Sequence, residues 1–165
     1  ESILATDQDP QPGKRIVRPV GWYAFNTARV ESGLSIFNID FGVTNLPHET
    51  GLLDSRVSFQ KGCYPGQEIV ARMHNLGKPK QQIIAMQINS DELPLAGAAV
   101  LKGCDREDEQ IGVVTSSVLS PLNSLAPIAL AMVRTAAIET GPQVGVVAEG
   151  EIVSASLQQQ LTFLM

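Results

Sequence analysis

The alternation of hydrophobic and polar positions changes character near residue 80, and the two stretches predict different kinds of structure. Over residues 20–31, Trp22, Phe25 and Ala28 fall on one helical face with Asn26 and Arg29 off it. Gly33 stands where a C-terminal cap would close that helix. Ile36 to Phe41 alternates apolar and polar, which predicts a short strand, and Asn45-Leu-Pro-His-Glu49 reads as a loop. Val57 to Phe59 is expected to be a strand leading into a second helix. There Ile69, Met73 and Leu76 recur at helical spacing until Gly77 and Pro79 end the pattern. Pro65 suits the first helical position, where a missing N–H costs nothing. Residues 1–18, with Pro10, Pro12 and Gly13, read as a strand end followed by a loop.

After Pro79 the texture is that of short β-rich runs. Ile83 to Ile88, Ala98 to Leu101, Ile111 to Thr115, Pro127 to Val133, Val144 to Val147 and Glu151 to Ser154 are separated by Gly, Pro, Asn and Asp clusters. That rhythm predicts a small β-barrel or sandwich, with Pro127 marking a strand start or an edge. A boundary near Gly77 to Lys80 would divide the chain into an α+β part over 1–78 and an all-β part over 79–165. The expected class is α+β.

Composition narrows the picture. A chain of 165 residues fits one large domain or two small ones, and 44% hydrophobic with 18% charged residues can build a real core. The net charge of −5 argues against a general nucleic-acid binder. The clusters Lys14, Arg15, Arg18 and Arg72, Lys78, Lys80 read as solvated faces. Two cysteines are too few for a disulfide framework, and neither belongs to a CxxC pair. His48 and His74 are not spaced as a zinc site, so no metal is expected. A reducing setting, cytoplasm or organelle matrix, fits this usage best; a single Cys63–Cys104 bridge is the alternative. No run of about 20 apolar residues predicts a membrane span. The start at Glu1 has neither an initiator methionine nor a signal-peptide pattern, as a fragment or processed chain would.

The chemistry concentrates in Lys61-Gly-Cys-Tyr-Pro-Gly-Gln-Glu68. Cys63 lies just ahead of a predicted helix N-terminus with Lys61 nearby, two influences that favour a nucleophilic thiolate. The plainer alternative is a small buried hydrophobe. Gln67 and Glu68 fall in the first turn, where a carboxylate complements the helix dipole.

This octapeptide, with the following Ile69-Val-Ala-Arg72, resembles the signature of the YgfZ-type folate-binding proteins, relatives of the glycine cleavage T-protein, an aminomethyltransferase. Supporting pieces occur in order. Ala28-Arg-Val-Glu-Ser-Gly33 is similar to the family's Arg-x-Glu-x-Gly helix end, and Asn45 to Glu49 to its Leu-Pro-x-Glu loop. Gly112 to Ser117, Ser120-Pro121 and Ile128 to Ala131 resemble strands of its C-terminal barrel. The resemblance implies the last part of a T-protein-like folate-binding α+β domain followed by a small antiparallel barrel. An N-terminal region would supply the rest of the folate cavity and the aspartate used by true aminomethyltransferases.

The function implied is a tetrahydrofolate-binding accessory protein that supports iron–sulfur cluster assembly or repair, including that of tRNA-modifying enzymes. Its partners would be folate and iron–sulfur enzymes, without direct nucleic-acid or membrane binding. By resemblance Glu31 faces the pterin, where a carboxylate can accept two hydrogen bonds from a ring N–H and an amine; the alternative is a surface pairing with Arg29 or Arg18. Cys63 is the redox-active or cluster-handling thiol with Lys61 as its charge. A lone cysteine cannot hold a cluster that needs about four ligands, so contact would be transient or shared. Tyr64 stacks on a flat ring or packs as a core aromatic. Gln67 and Glu68 cap the helix or touch ligand. Arg72 pairs with Glu68 one turn back or anchors the glutamate tail of folate. Glu49 could reach the same cavity, although loop acids usually face solvent. Cys104, in the turn-like Lys-Gly-Cys-Asp, is assigned no role, and His48 and His74 are expected to be surface or packing residues. Two other readings compete: an aminomethyltransferase moving a one-carbon unit to tetrahydrofolate, whose T-proteins in general lack the cysteine, and a non-catalytic interaction fragment.

Overall fold

The computed structural model describes residues 19–139, 141–158 and 160–163. Four helices, α1 (Trp22–Glu31), α2 (Leu53–Arg56), α3 (Gln67–Leu76) and α4 (Thr135–Ile138), accompany six strands. The strands are β1 (Gln81–Ile88), β2 (Ala99–Leu101), β3 (Gln110–Ser120), β4 (Ala126–Arg134), β5 (Gln143–Ala148) and β6 (Glu151–Leu157). They close into a barrel in the order β1-β4-β3-β2-β5-β6, every pair antiparallel. Each predicted β run became one strand, and the α+β class with an antiparallel barrel stands. Pro127 sits one residue inside β4 opposite Leu119, at a strand start rather than an edge. A ring in which β6 pairs back to β1 leaves no edge for it to occupy.

The barrel has two cores, and β4 belongs to both. Ala129, Ala131 and Val133 point inward with Met86, Val100, Val114, Val146 and Ala155 from the other five strands. Ile128, Leu130 and Met132 point outward and pack with Ile83, Ala85 and Val118 against Val30 of α1, and with Phe41, Leu161 and Phe163. A strand covered on both faces reads as a continuous apolar run, as Pro127 to Val133 does. Burying each large aliphatic side chain is worth roughly 1.5–3 kcal/mol, so the outer cluster holds α1 to the barrel firmly.

The N-terminal elements differ from expectation in instructive ways. Helix α1 forms as predicted but turns the other way: Trp22, Phe25 and Ala28 are exposed, while Thr27, Arg29, Val30 and Glu31 are buried. The barrel supplies the Ser116 and Ser120 hydroxyls, so the stripe that carries Arg29 and Glu31 is the one drawn inward. Gly33 does cap the helix, at φ +71°, with its N–H bonded to Val30 O (3.0 Å) and Leu34 N–H to Arg29 O (2.8 Å). The chain after β6 returns to this cap, where Phe163 N–H donates to Glu31 O (2.8 Å).

Ile36 to Phe41 is not a strand. It is a turn closed by a lone Phe37–Phe41 bridge, with Asn38 at φ +64°, because the Asp40 carboxylate accepts from Ile36 N–H (2.8 Å) and curls the segment. Val57 to Phe59 has no strand partner and simply links α2 to the motif loop. Helix α3 begins at Gln67 behind Gly66 in the left-handed region (φ +85°), so Pro65 precedes the helix instead of opening it. Of the expected stripe, Ile69 and Leu76 are 61% and 84% exposed, and α3 docks through Val70. The strand end and loop expected over 1–18 lie outside the described residues.

Candidate functional site

The motif loop emerges from α2 and turns into α3 on an open surface. Tyr64 N–H donates to Gln67 Oε1 (3.2 Å), so Gln67 braces the turn that precedes α3. Two adjoining cavities lie against it. One, of about 380 Å³, is lined by Ser58, Phe59, Lys61, Tyr64, Gln67 and Glu68 with Ala71. The other, of about 250 Å³, is lined by Pro47, Arg56, Val57, Lys61, Tyr64 and Val70 with Ser58. Ser58, Lys61 and Tyr64 belong to both and form their shared wall. Lys61, Tyr64, Gln67 and Glu68 are thus brought together. Cys63 is a free, exposed cysteine on the same loop, not a buried hydrophobe, and it is not among the described lining residues.

Other predicted residues lie elsewhere. Arg72 is exposed on α3, lines neither cavity, and forms no ion pair with Glu68 among the described residues. Glu31 is buried at the end of α1, where its Oε1 accepts from Ser120 Oγ (2.6 Å) and Leu122 N–H (3.2 Å). It is therefore neither a surface acid nor a partner of Arg29, and it pins α1 to the end of β3. Cys104 is free and exposed in the turn after β2.

A buried polar centre escaped sequence reasoning. Arg29 Nη1 bonds Asp40 Oδ2 at 2.7 Å with both side chains essentially inaccessible, and Arg29 Nη2 donates to Ser116 Oγ (2.5 Å). Asp40 Oδ1 in turn accepts from Thr115 Oγ1 (2.8 Å) and Ser116 Oγ (2.6 Å). Consecutive strand residues normally face opposite ways. Here the β3 register shifts between Val114 and Ser116, and that bulge lets both hydroxyls reach one carboxylate. The available signal was an aspartate inside an apolar alternation and a Thr-Ser-Ser run inside a strand.

The loop around Pro47 is equally ordered. Glu49 is buried, contrary to the expectation for a loop acid, and its Oε2 accepts from Asn45 Nδ2 (2.8 Å) and Leu46 N–H (3.3 Å). His48 faces His74 of α3 with ring centres 6.2 Å apart, and His74 stacks on Phe59 at 4.1 Å. Both His48 ring nitrogens are buried without a hydrogen-bond partner. Desolvation first, and the His74 charge second, lower the His48 pKa from its ordinary 6.5. The pair therefore belongs to the packing of α3, with His74 holding a lining residue of the larger cavity.

Comparison with known proteins supplies the lineage. Residues 81–163 match the glycine cleavage T-protein C-terminal barrel domain. The mitochondrial aminomethyltransferase of Dictyostelium discoideum is 28% identical over 149 residues, 87% of this chain and 35% of that protein. The aminomethyltransferase of Moorella thermoacetica is 30% identical over 134 residues, 81% of this chain and 35% of that one. The tRNA-modifying protein YgfZ of Yersinia pestis (strain Pestoides F) is 27% identical over 123 residues, 70% of this chain and 37% of that one. The chain thus spans about a third of the length of these relatives. The crystal structure of glycine cleavage system aminomethyltransferase T from Bartonella henselae superposes with a TM-score of 0.67 at 20% identity, over 85% of this chain and 38% of that one, a likeness of fold. Since the matched segment is just over half of the 165 residues and coincides with the closed six-stranded ring, the chain belongs to the glycine cleavage T-protein C-terminal barrel family.

Proposed function

We propose that this chain is the C-terminal portion of a YgfZ-type tetrahydrofolate-binding accessory protein that supports iron–sulfur cluster assembly or repair and tRNA modification. On this reading residues up to 78 belong to the folate-binding α+β domain, and the protein works in the cytoplasm or an organelle matrix. The observation that carries it is the free, exposed Cys63 on a loop whose neighbours Lys61 and Tyr64 wall two cavities. A thiol held at the rim of a ligand site can meet a partner's cluster or disulfide without being consumed by packing.

The larger cavity suits a folate. Its volume falls within the usual range for small-molecule sites, about 300–1,000 Å³. Phe59 and Tyr64 offer ring faces, and Gln67 and Glu68 offer the amide and carboxylate that a pterin edge would bond. Glu31 lines neither cavity and is held by Ser120 and Leu122, so it stays a candidate for the pterin only if a further part of the protein brings that ring to the end of α1. Arg72 stays a candidate for the ligand's acid tail only if a further part of the protein brings that tail to it.

The test is complementation with the full-length protein. Cys63→Ser should fold normally yet fail to restore an iron–sulfur tRNA-modifying enzyme in cells lacking the protein. Full rescue would remove the thiol from the mechanism. A second reading, aminomethyl transfer to tetrahydrofolate, is favoured by relatives such as the aminomethyltransferase of Synechococcus sp. (strain WH7803), 27% identical over 95% of this chain and 42% of that protein. Turnover of an aminomethyl donor with tetrahydrofolate would establish it at the expense of the accessory role.

A further inference from the structure

We propose that the stack of His48, His74 and Phe59 is an acid-sensitive latch: uncharged, it holds α3 and the motif loop in place, and proton uptake at His48 releases them. The three rings come from three segments, the Pro47–Glu49 turn, α3 and the Val57 to Gln60 link. Each is tied to a cavity wall. Pro47, beside His48, and Val70, one turn before His74, line the smaller cavity, and Phe59 itself lines the larger one. Helix α3 has little else to hold it: Val70 is its one buried residue, and Gly66 and Gly77 bracket its ends.

Both ring nitrogens of His48 are sealed from water with no hydrogen-bond partner, so a second N–H there has nothing to donate to while the stack is closed. No carboxylate offsets the charge. On the same turn Glu49 is engaged by Asn45, Leu46 and Gln81, and no ion pair among the described residues includes a histidine. On α3, Glu68 lines the larger cavity and Arg72 is exposed, which leaves His74 facing the ring. Ahead of β1, Lys78 pairs with Glu139 and Lys80 is exposed, while Arg56 and Lys61 line the smaller cavity with Pro47. A proton on the exposed His74 would add like-charge repulsion across the 6.2 Å between ring centres. Desolvation, then the His74 charge, hold the His48 pKa below its ordinary 6.5, so the open state takes a proton that the closed state resists. The latch is therefore at full strength above pH 6.5 and weakens as pH falls toward the depressed value. It does not depend on which ligand the two cavities accept, and so stands apart from the proposed function.

The experiment is amide hydrogen exchange of the full chain at about pH 7.5 and about pH 5.5, corrected for the intrinsic effect of pH on exchange, with β4 as internal reference. Protection of α3 is expected to fall more than about twofold at the lower pH, while β4 keeps its protection; one proton can contribute roughly tenfold one unit below 6.5. His48→Phe keeps a ring in the stack and removes both orphan nitrogens, so α3 protection in that variant should be the same at both pH values. Three outcomes would overturn the proposal: a fall in native α3 protection smaller than about twofold; a fall in His48→Phe as large as in the native protein; or a parallel loss in β4, which would be global acid unfolding. Should His48→Phe fail to fold, the imidazole resonance of His48 in the native protein decides. Titration in step with the loss of α3 protection supports the latch, and titration at a pH where α3 stays protected sinks it.

Discussion

At the scale of single residues, the side chains that matter most to stability are polar. Arg29 and Asp40 form an ion pair sealed from water at the junction of α1, the Ile36 to Phe41 turn and β3. Breaking such a pair leaves one charge buried alone. Arg29→Ala is therefore expected to cost about 3–5 kcal/mol in urea unfolding, whereas Arg29→Met combined with Asp40→Leu should cost far less. Equal losses in the single and double variants would show that packing, not charge, decides the site. His48 makes a second prediction. Burial and the facing His74 depress its folded pKa, so below its ordinary 6.5 the unfolded chain takes up a proton that the native state resists. Stability is full above that pH and falls as acid brings the solution toward the depressed value. Denaturant midpoints measured from about pH 8 to pH 5 should fall on the acid side in the native protein, and fall less in His48→Leu.

Elements here are held by their ends. The cap of α1 places Gly33 at φ +71° against the returning C-terminal segment, where an added Cβ would run into the Leu161 carbonyl. Gly33→Ala should destabilise by more than the ~1 kcal/mol of a left-handed alanine alone, because backbone must also move. If thermal unfolding shows a penalty within that figure, the segment yields and is no strap. The motif helix is docked more lightly, through Val70 and the His74–Phe59 stack, with Ile69 and Leu76 left outside. That lightness keeps the octapeptide on an accessible loop, where Cys63 can be reached.

For the whole molecule, β4 is the shared wall of two cores, so the barrel and α1 should unfold together. Leu130 points outward into the cluster with Val30. Leu130→Ala is expected to cost about 2–5 kcal/mol, and to shift the fluorescence of Trp22, the chain's one tryptophan, and the far-ultraviolet circular dichroism by the same amount. Separate transitions would mean that α1 peels away before the ring opens. Polar anchors from the last turn of α1 flank Val30 and reinforce the outer cluster: Glu31 on Ser120, and Arg29 with Asp40 on Ser116.

Local pattern alone determined the six strands, the two principal helices and the Gly33 cap, because period-two and period-3.6 burial and a left-handed glycine are properties of short stretches. It also singled out the Lys61 to Glu68 loop, whose residue types carry their chemistry with them. Tertiary structure decided which face of α1 is buried, that Asp40 curls its segment into a turn, that Glu31 is spent on Ser120, and that Arg56 shares a chamber with Lys61. The reason is distance along the chain: Glu31 meets Ser120, and Asp40 meets a bulge at Thr115 and Ser116, across separations that no window of neighbouring residues encodes. A helix with large apolar residues on one side and Thr, Arg and Glu on the other gives the wrong answer until the hydroxyl-rich wall it meets is known.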